Sequence, residues 1–151
     1  MDLPALPIGP EGVAALIPHS GAMRLIDQVD SAASEEVICS TRSHLSLDNP
    51  LRVNGVIPAA AAIEYAAQAM AVHAALTRGG PPRRGFLVVA SGVSWGADRL
   101  DGTGDSLKIR ATRLASMGGG AQYAFLVSAG TAVEVTGTLT LQLEAATPEQ
   151  S

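Results

Sequence analysis

Pro58-Ala-Ala-Ala-Ala-Ile-Glu-Tyr-Ala-Ala-Gln-Ala-Met-Ala-Val-His-Ala-Ala-Leu-Thr77 is a run of twenty residues made almost wholly of strong helix formers. Pro58 suits the first position of a helix and Gly79-Gly80-Pro81-Pro82 stops it, so the stretch reads as one long helix. It has almost no polar face, which predicts that other structure wraps it on most sides. Glu64 is the anomaly. A buried, unpaired carboxylate costs several kcal/mol unless it takes up a proton, so burial predicts a raised pKa and a group able to act as an acid or base.

The helix reaches the ~20 residues of a bilayer span. Glu64, Gln68, His73 and an alanine-rich rather than leucine-rich makeup argue against one, because small residues suit close packing inside a protein. The 151 residues fit one domain, with an irregular lead-in over 1–10 set by Pro4, Pro7 and Pro10, and a frayed tail over 145–151. A net charge of −4 and a pI near 5.2 leave no basic stripe for nucleic acid. The start, Met1-Asp2-Leu3-Pro4, does not read as a secretory leader, and the single cysteine, Cys39, reads as a small buried hydrophobe; a cytoplasmic protein is expected. No pair of His, Cys, Asp or Glu shows metal-ligand spacing, so no metal is expected.

Around the helix the pattern turns to period two. Ala22–Val29 and Glu36–Leu45 predict two antiparallel strands before it, the second with Val37, Cys39, Thr41, Ser43 and Leu45 on one face and Ile38, Ser40, Arg42 and His44 on the other. After it come Gly85–Trp95, interrupted at Ser91-Gly92 by a bulge or a close approach to a ligand or partner backbone, and then Asp105–Arg113. Tyr123, Phe125 and Val127 oppose Gln122, Ala124 and Ser128 in the next strand. The last sets Val133, Val135, Leu139 and Leu141 against Glu134, Thr136, Thr138 and Thr140. Two strands, one apolar helix and four strands predict an α+β fold in which a curved antiparallel sheet wraps the helix, and the helix face left over predicts a second copy of the chain.

That architecture is the hot-dog fold, and three motifs narrow the resemblance. Leu16-Ile-Pro-His-Ser-Gly-Ala-Met-Arg-Leu-Ile-Asp-Gln-Val29 resembles the Leu-Pro-His-Arg-x-Pro-x-Leu-Leu-x-Asp-Arg-Val opening of the 3-hydroxyacyl-acyl carrier protein dehydratases. Ile63-Glu64-Tyr-Ala-Ala-Gln68-Ala-Met resembles their Leu-Glu-Ala-x-Ala-Gln segment, and Arg99-Leu-Asp-Gly-Thr-Gly104-Asp105-Ser-Leu their Arg-Pro-x-x-Pro-Gly-Asp-x-Leu turn. The chain lacks the Gly-His-Phe-Pro that carries that family's histidine, and the connection from Asn49-Pro50 to Glu64 is several residues short. With its Asn-Pro-Leu-Arg and Glu-Tyr-Ala-Ala-Gln-Ala-Met segments it is most similar to the divergent branch found beside polyketide-type and aryl polyene synthesis.

The resemblance implies dehydration of a 3-hydroxyacyl thioester to a 2-enoyl product in fatty-acid or polyketide-type synthesis. The acyl chain rides on the phosphopantetheine of an acyl carrier protein, no other cofactor is implied, and the expected assembly is a homodimer or a pairing with another hot-dog subunit. It transfers the acid to Glu64, with Gln68 one turn on to orient it or to bond the short loop. The base falls to His19 in the matched Pro-His turn, with His44 as second choice; His73 reads as buried or dimer-facing. Helix geometry leaves first-turn amides at Ala59 to Ala61 to hold the thioester oxygen, with Gly92 a further point of close approach. An acidic carrier would need a basic rim, for which Arg52, Arg83, Arg84 and Arg99 are the candidates, each also readable as a solvated loop arginine. Two alternatives stand beside this: an acyl thioesterase, and a non-catalytic acyl-binding subunit of a hot-dog heterodimer.

Overall fold

The computed structural model describes residues 5–17, 21–78, 85–117 and 120–143. A short helix α1 (Pro10–Leu16), with Pro10 in its first turn, buries Val13. After a 3-10 turn over Gly21–Met23 come strands β1 (Gln28–Ala32) and β2 (Glu36–Thr41), and a second 3-10 turn over Ser43–Leu45. The alanine-rich stretch opens as a 3-10 turn, Ala59–Ala61, and continues as α2 (Ala62–Arg78). Strands β3 (Gly85–Trp95), β4 (Leu107–Met117), β5 (Gly120–Ala129) and β6 (Val133–Leu143) complete the chain.

All six strands form one antiparallel sheet in the order β1-β2-β4-β5-β6-β3, and α2 packs across it. Register turns the sequence alternation into an inner face. Cys39 pairs with Ile109, Ile109 with Val127 and Val127 with Val135, and all four are buried. The next row runs Val37, Ala111, Phe125 and Gly137. A Cβ at Gly137 would stand 2.8 Å from the Phe125 ring, so the missing side chain makes room for the aromatic. Against this face α2 lays Tyr65, Ala66, Ala69, Met70, Val72 and Leu76, each large apolar one contributing about 1.5–3 kcal/mol of burial. No helix among the described residues is long and apolar enough to cross a membrane.

Two strand expectations need correction. Residues 22–27 are not strand; β1 begins only at Gln28, because Leu25 and Ile26 are both buried and the backbone of residues 23–25 bonds to a side chain of α2 instead of to a ladder. β2 ends at Thr41, where the Thr41 hydroxyl takes the Ser43 N–H (3.0 Å) and turns the chain. His44 therefore sits on a 3-10 turn, not on a strand face.

Candidate functional site

Glu64 lies on the side of α2 that faces away from the sheet, and it is exposed. This corrects the expectation that it is buried within the chain. Tyr65, Ala66, Ala69, Met70 and His73 take the core side, and a helix places position 64 about 100° away from position 65. Ala60, Ile63, Glu64, Ala67, Ala71, Ala74 and Arg78, none of them buried, recur at the three- and four-residue spacing of one continuous stripe. Among the described residues nothing bonds the Glu64 carboxylate.

The buried side of the same helix carries three polar side chains, and each fastens a different segment. Ser43 Oγ donates to Leu25 O (2.7 Å), so its 2.8 Å contact with Tyr65 Oη uses the tyrosine proton. Asn49 Nδ2 donates to Tyr65 Oη (2.9 Å) and to Ser43 O (2.9 Å), which closes a satisfied network immediately beside Glu64. Burial pushes the Tyr65 phenol pKa up and keeps it a neutral donor. One turn on, Gln68 accepts from Leu25 N (2.8 Å) and donates to Met23 O (2.6 Å). Its amide is spent on backbone, so it bonds a loop and does not orient Glu64. His73 is buried; its Nε2–H donates to Ala33 O (2.8 Å) and its Nδ1 accepts from the Tyr123 hydroxyl (2.5 Å). Burial lowers the His73 pKa and pushes Tyr123 up to about 12, which suits that neutral pairing.

The short connection into α2 is tied down by one ion cluster. Arg52 donates to Ser46 O (2.8 Å), Gly55 O (2.9 Å), His44 O (3.1 Å) and Asp101 Oδ2 (2.8 Å). Asp101 also accepts from Arg99 Nε (2.9 Å) and Ile57 N (3.2 Å). Burial by itself would raise the Asp101 pKa, but the bonds from Arg99, Arg52 and Ile57 outweigh it and hold the carboxyl well below the usual range. Between Val53 and Val56 the chain reverses through Asn54 (φ 52°) and Gly55 (φ 79°), the two left-handed residues of a type I′ turn. Arg52 and Arg99 thus share one carboxylate, so neither is a free cation of a basic rim; Arg52 is largely enclosed, while Arg99 remains exposed to solvent.

The remaining candidates fall apart from one another. His44 is fully buried, donates from Nε2 to Asp105 O (2.8 Å), and has at Nδ1 the one buried side-chain polar atom without a partner among the described residues. Burial lowers its pKa, partly offset by the Asp105 carbonyl. His19, Arg83 and Arg84 lie outside the described residues. At Ala59 and Ala61 the expectation of open first-turn amides is corrected: Ala59 N donates to Asp98 O, where the helix entry pairs with residues 98–100, and Ala61 N to Pro58 O (both 2.9 Å). Ala60 is exposed. Gly92 (φ 60°) sits at the register shift between Ser91 and Ser94, a bulge on β3, which is the edge strand beside β6. Among the described residues there is no cluster of three or more His, Cys, Asp or Glu that could hold a metal.

The motif reading picked out Glu64 and Gln68 but missed the Ser43-Asn49-Tyr65 network and the Asp101 cluster. Both had a partial signal, since Asn49 and Tyr65 stand inside the quoted motifs and so do Arg52, Arg99 and Asp101; the pairings themselves join residues 16 and 49 positions apart, and nothing local announces them.

A profile of the ApeP-like family, described as ApeP dehydratase, matches residues 11–149. The fold is similar to a chain of the ApeI:P dehydratase heterocomplex from Xenorhabdus doucetiae, at 25% identity over 93% of each chain with a TM-score of 0.76. It is also similar to a thioesterase from Haemophilus influenzae (12% identity, 95% of this chain and 96% of that one, TM-score 0.64). A thioesterase superfamily member of zebra fish matches at 14% identity, over 89% of this chain and 95% of that one, with a TM-score of 0.61. Both thioesterase likenesses show the hot-dog fold alone. No curated protein matches the sequence.

Proposed function

Since the chain belongs to the ApeP-like dehydratase family, we propose that it dehydrates a 3-hydroxyacyl thioester carried by an acyl carrier protein, in fatty-acid or aryl polyene and polyketide-type synthesis, with Glu64 as the acid. The observation that carries this is the position of Glu64, the sole carboxylate of α2, standing unbonded among the described residues on an otherwise apolar stripe. The C2–H bond breaks to a base as the C2–C3 double bond forms; the C3–O bond breaks as Glu64 delivers its proton, and water leaves. Proton and hydroxide move without change of oxidation state, so the reading needs no cofactor beyond the phosphopantetheine arm of the carrier. It places the protein in the cytoplasm.

The stripe of Ile63, Ala67, Ala71 and Ala74, with exposed Val89 and Trp95 on edge strand β3, supports a dimer in which a second hot-dog subunit covers Glu64. Covering would exclude water from the carboxylate, which in the single chain is open to it. His19 is the proposed base. His44 is walled in and serves better as a strut between its own turn and Asp105.

A second reading is favoured by the likeness to a dehydratase heterocomplex: the partner subunit is a different hot-dog chain, and it supplies the histidine opposite Glu64. The deciding test offers purified protein a 3-hydroxyacyl carrier protein and follows 2-enoyl product, alone and with a co-purified partner. Dehydration by the protein alone supports the homodimer; turnover only with the partner supports the second reading. Hydrolysis of acyl thioesters without loss of water would establish a thioesterase and overturn both.

A further inference from the structure

Among the described residues, most cations are already engaged: Arg52 and Arg99 by Asp101, Lys108 by Asp30, Arg113 by Glu35, Arg42 by Gly104 O and Ser106, and Arg78 as well. Two have no partner there, Arg24 and Arg110, and their settings differ. Arg110 is exposed on the outer face of β4, with Ile38 and Leu126 as cross-strand neighbours. The backbone around Arg24 is bonded at three points. Its own N–H donates to Gly21 O (3.1 Å), and the two peptides that flank it are both bonded by the Gln68 amide, through Met23 O and Leu25 N.

Gln68 thus imitates one residue of a neighbouring strand and holds position 24 against α2, one helical turn from Glu64. The residue presented there is a half-buried arginine next to Met23, a residue that is 53% exposed. The resembling dehydratase pattern has leucine at this point, and a structural role would be met by leucine equally well. A half-buried arginine on a fixed backbone, unpaired among the described residues and next in sequence to an exposed apolar residue, has the make-up of a contact with an anionic partner. It stands out on a chain whose net charge is −4.

We propose that Arg24, with Met23, is a docking contact for the acidic carrier protein that delivers the thioester to Glu64. The inference rests on the carrier-borne substrate proposed above and replaces Arg52 and Arg99 as the source of positive charge. Because Gln68 already holds the backbone on both sides of Arg24, binding requires less ordering of this loop. Because the contact is a charge at a rim, it acts mainly on association rate and on salt dependence.

The test measures binding of a fluorescently labelled 3-hydroxyacyl-loaded acyl carrier protein by anisotropy at two salt concentrations. Arg24→Glu should weaken binding about tenfold or more and Arg24→Leu severalfold, with the salt dependence of binding reduced in both. Arg110→Glu, an equal charge change elsewhere, should bind within about twofold of wild type by the same reasoning. Thermal melts confirm folding, and Arg24→Gln serves if Arg24→Glu fails to fold. With the same acyl group on N-acetylcysteamine, which has no carrier, KM should be unchanged in the Arg24 variants. Wild-type affinity in Arg24→Glu, or an equal loss in Arg110→Glu, would overturn the Arg24 assignment while leaving the dehydratase reading intact. No carrier binding by wild type would overturn the assignment too, and dehydration of the carrier-free thioester would then tell whether the reaction itself survives.

Discussion

Replacing Asp101 by alanine should cost about 3 kcal/mol of folding stability, because it removes the one carboxylate on which the entry to α2 is tied. Breaking a buried ion pair by deleting one member costs about 3–5 kcal/mol, since the other charge is left uncompensated. Arg52, with a side chain only 13% exposed, is that stranded charge, but it keeps three carbonyl acceptors at Ser46, Gly55 and His44, which brings the figure to the low end. Arg99, at 45% exposure, adds little on its own. Ile57 N loses its acceptor, which accounts for about 1 kcal/mol of that total. Urea unfolding reads the change as a midpoint lowered by roughly 1–2 M for an m-value of about 1.5–3 kcal/mol/M. A double-mutant cycle with Arg52→Ala separates the pair from its surroundings, and the two effects should be far from additive. A loss below about 1 kcal/mol, or strict additivity, would refute the reasoning that one buried carboxylate organises this connection.

Stability should fall as pH drops through the ordinary histidine value of about 6.5, because burial lowers the pKa of both His44 and His73 and the unfolded chain takes up their protons first. The same unfolding curves run between pH 7.5 and 5 check it, and a His44→Gln/His73→Gln variant should show a flatter profile; no slope in the wild type would contradict it. Below about pH 4 a second loss should begin as Asp101, whose pKa is depressed in the folded chain, starts to gain its proton in the unfolded one, and Asp101→Asn should lack that component. Tyr65→Phe should cost about 1–1.5 kcal/mol in urea, since Asn49 Nδ2 loses one acceptor while Ser43 keeps its bond to Leu25 O. A cost near zero would mean the hydroxyl network does not hold the turn.

Much of the sheet was legible because burial on one face forces period two. Tyr123, Phe125 and Val127, and Val133, Val135, Leu139 and Leu141, are all buried as their alternation requires. The side of α2 that stays open was not legible, because Ala67, Ala71 and Ala74 on the uncovered stripe are chemically the same as Ala66, Ala69 and Ala75 beneath. Composition shows that a helix is apolar; only packing shows which part of it another subunit must cover. Hence Glu64 reads as buried in the sequence and is exposed in the single chain. Residues 22–27 misled for a related reason: their hydrophobic spacing fits a strand, while the bonds that fix them come from Gln68, a side chain some 40 positions away. Gln68 was readable as an amide in need of partners, but the segment it fastens is residues 23–25 and not the short connection ahead of α2. The Asp101 cluster was hidden because a loop arginine and a loop aspartate look solvated until the fold brings them within 2.8 Å.

The central claim is that Glu64 supplies the proton that leaves with the hydroxyl. It is tested most directly by the rate of 2-enoyl formation from a 3-hydroxyacyl carrier protein for wild type and Glu64→Gln, measured on whichever assembly turns over. Glutamine keeps the size and the hydrogen bonding but has no proton to give, so kcat should fall by about a hundredfold or more while the melting temperature stays within a degree or two, Glu64 being exposed and unbonded among the described residues. Undiminished turnover by Glu64→Gln would contradict the account.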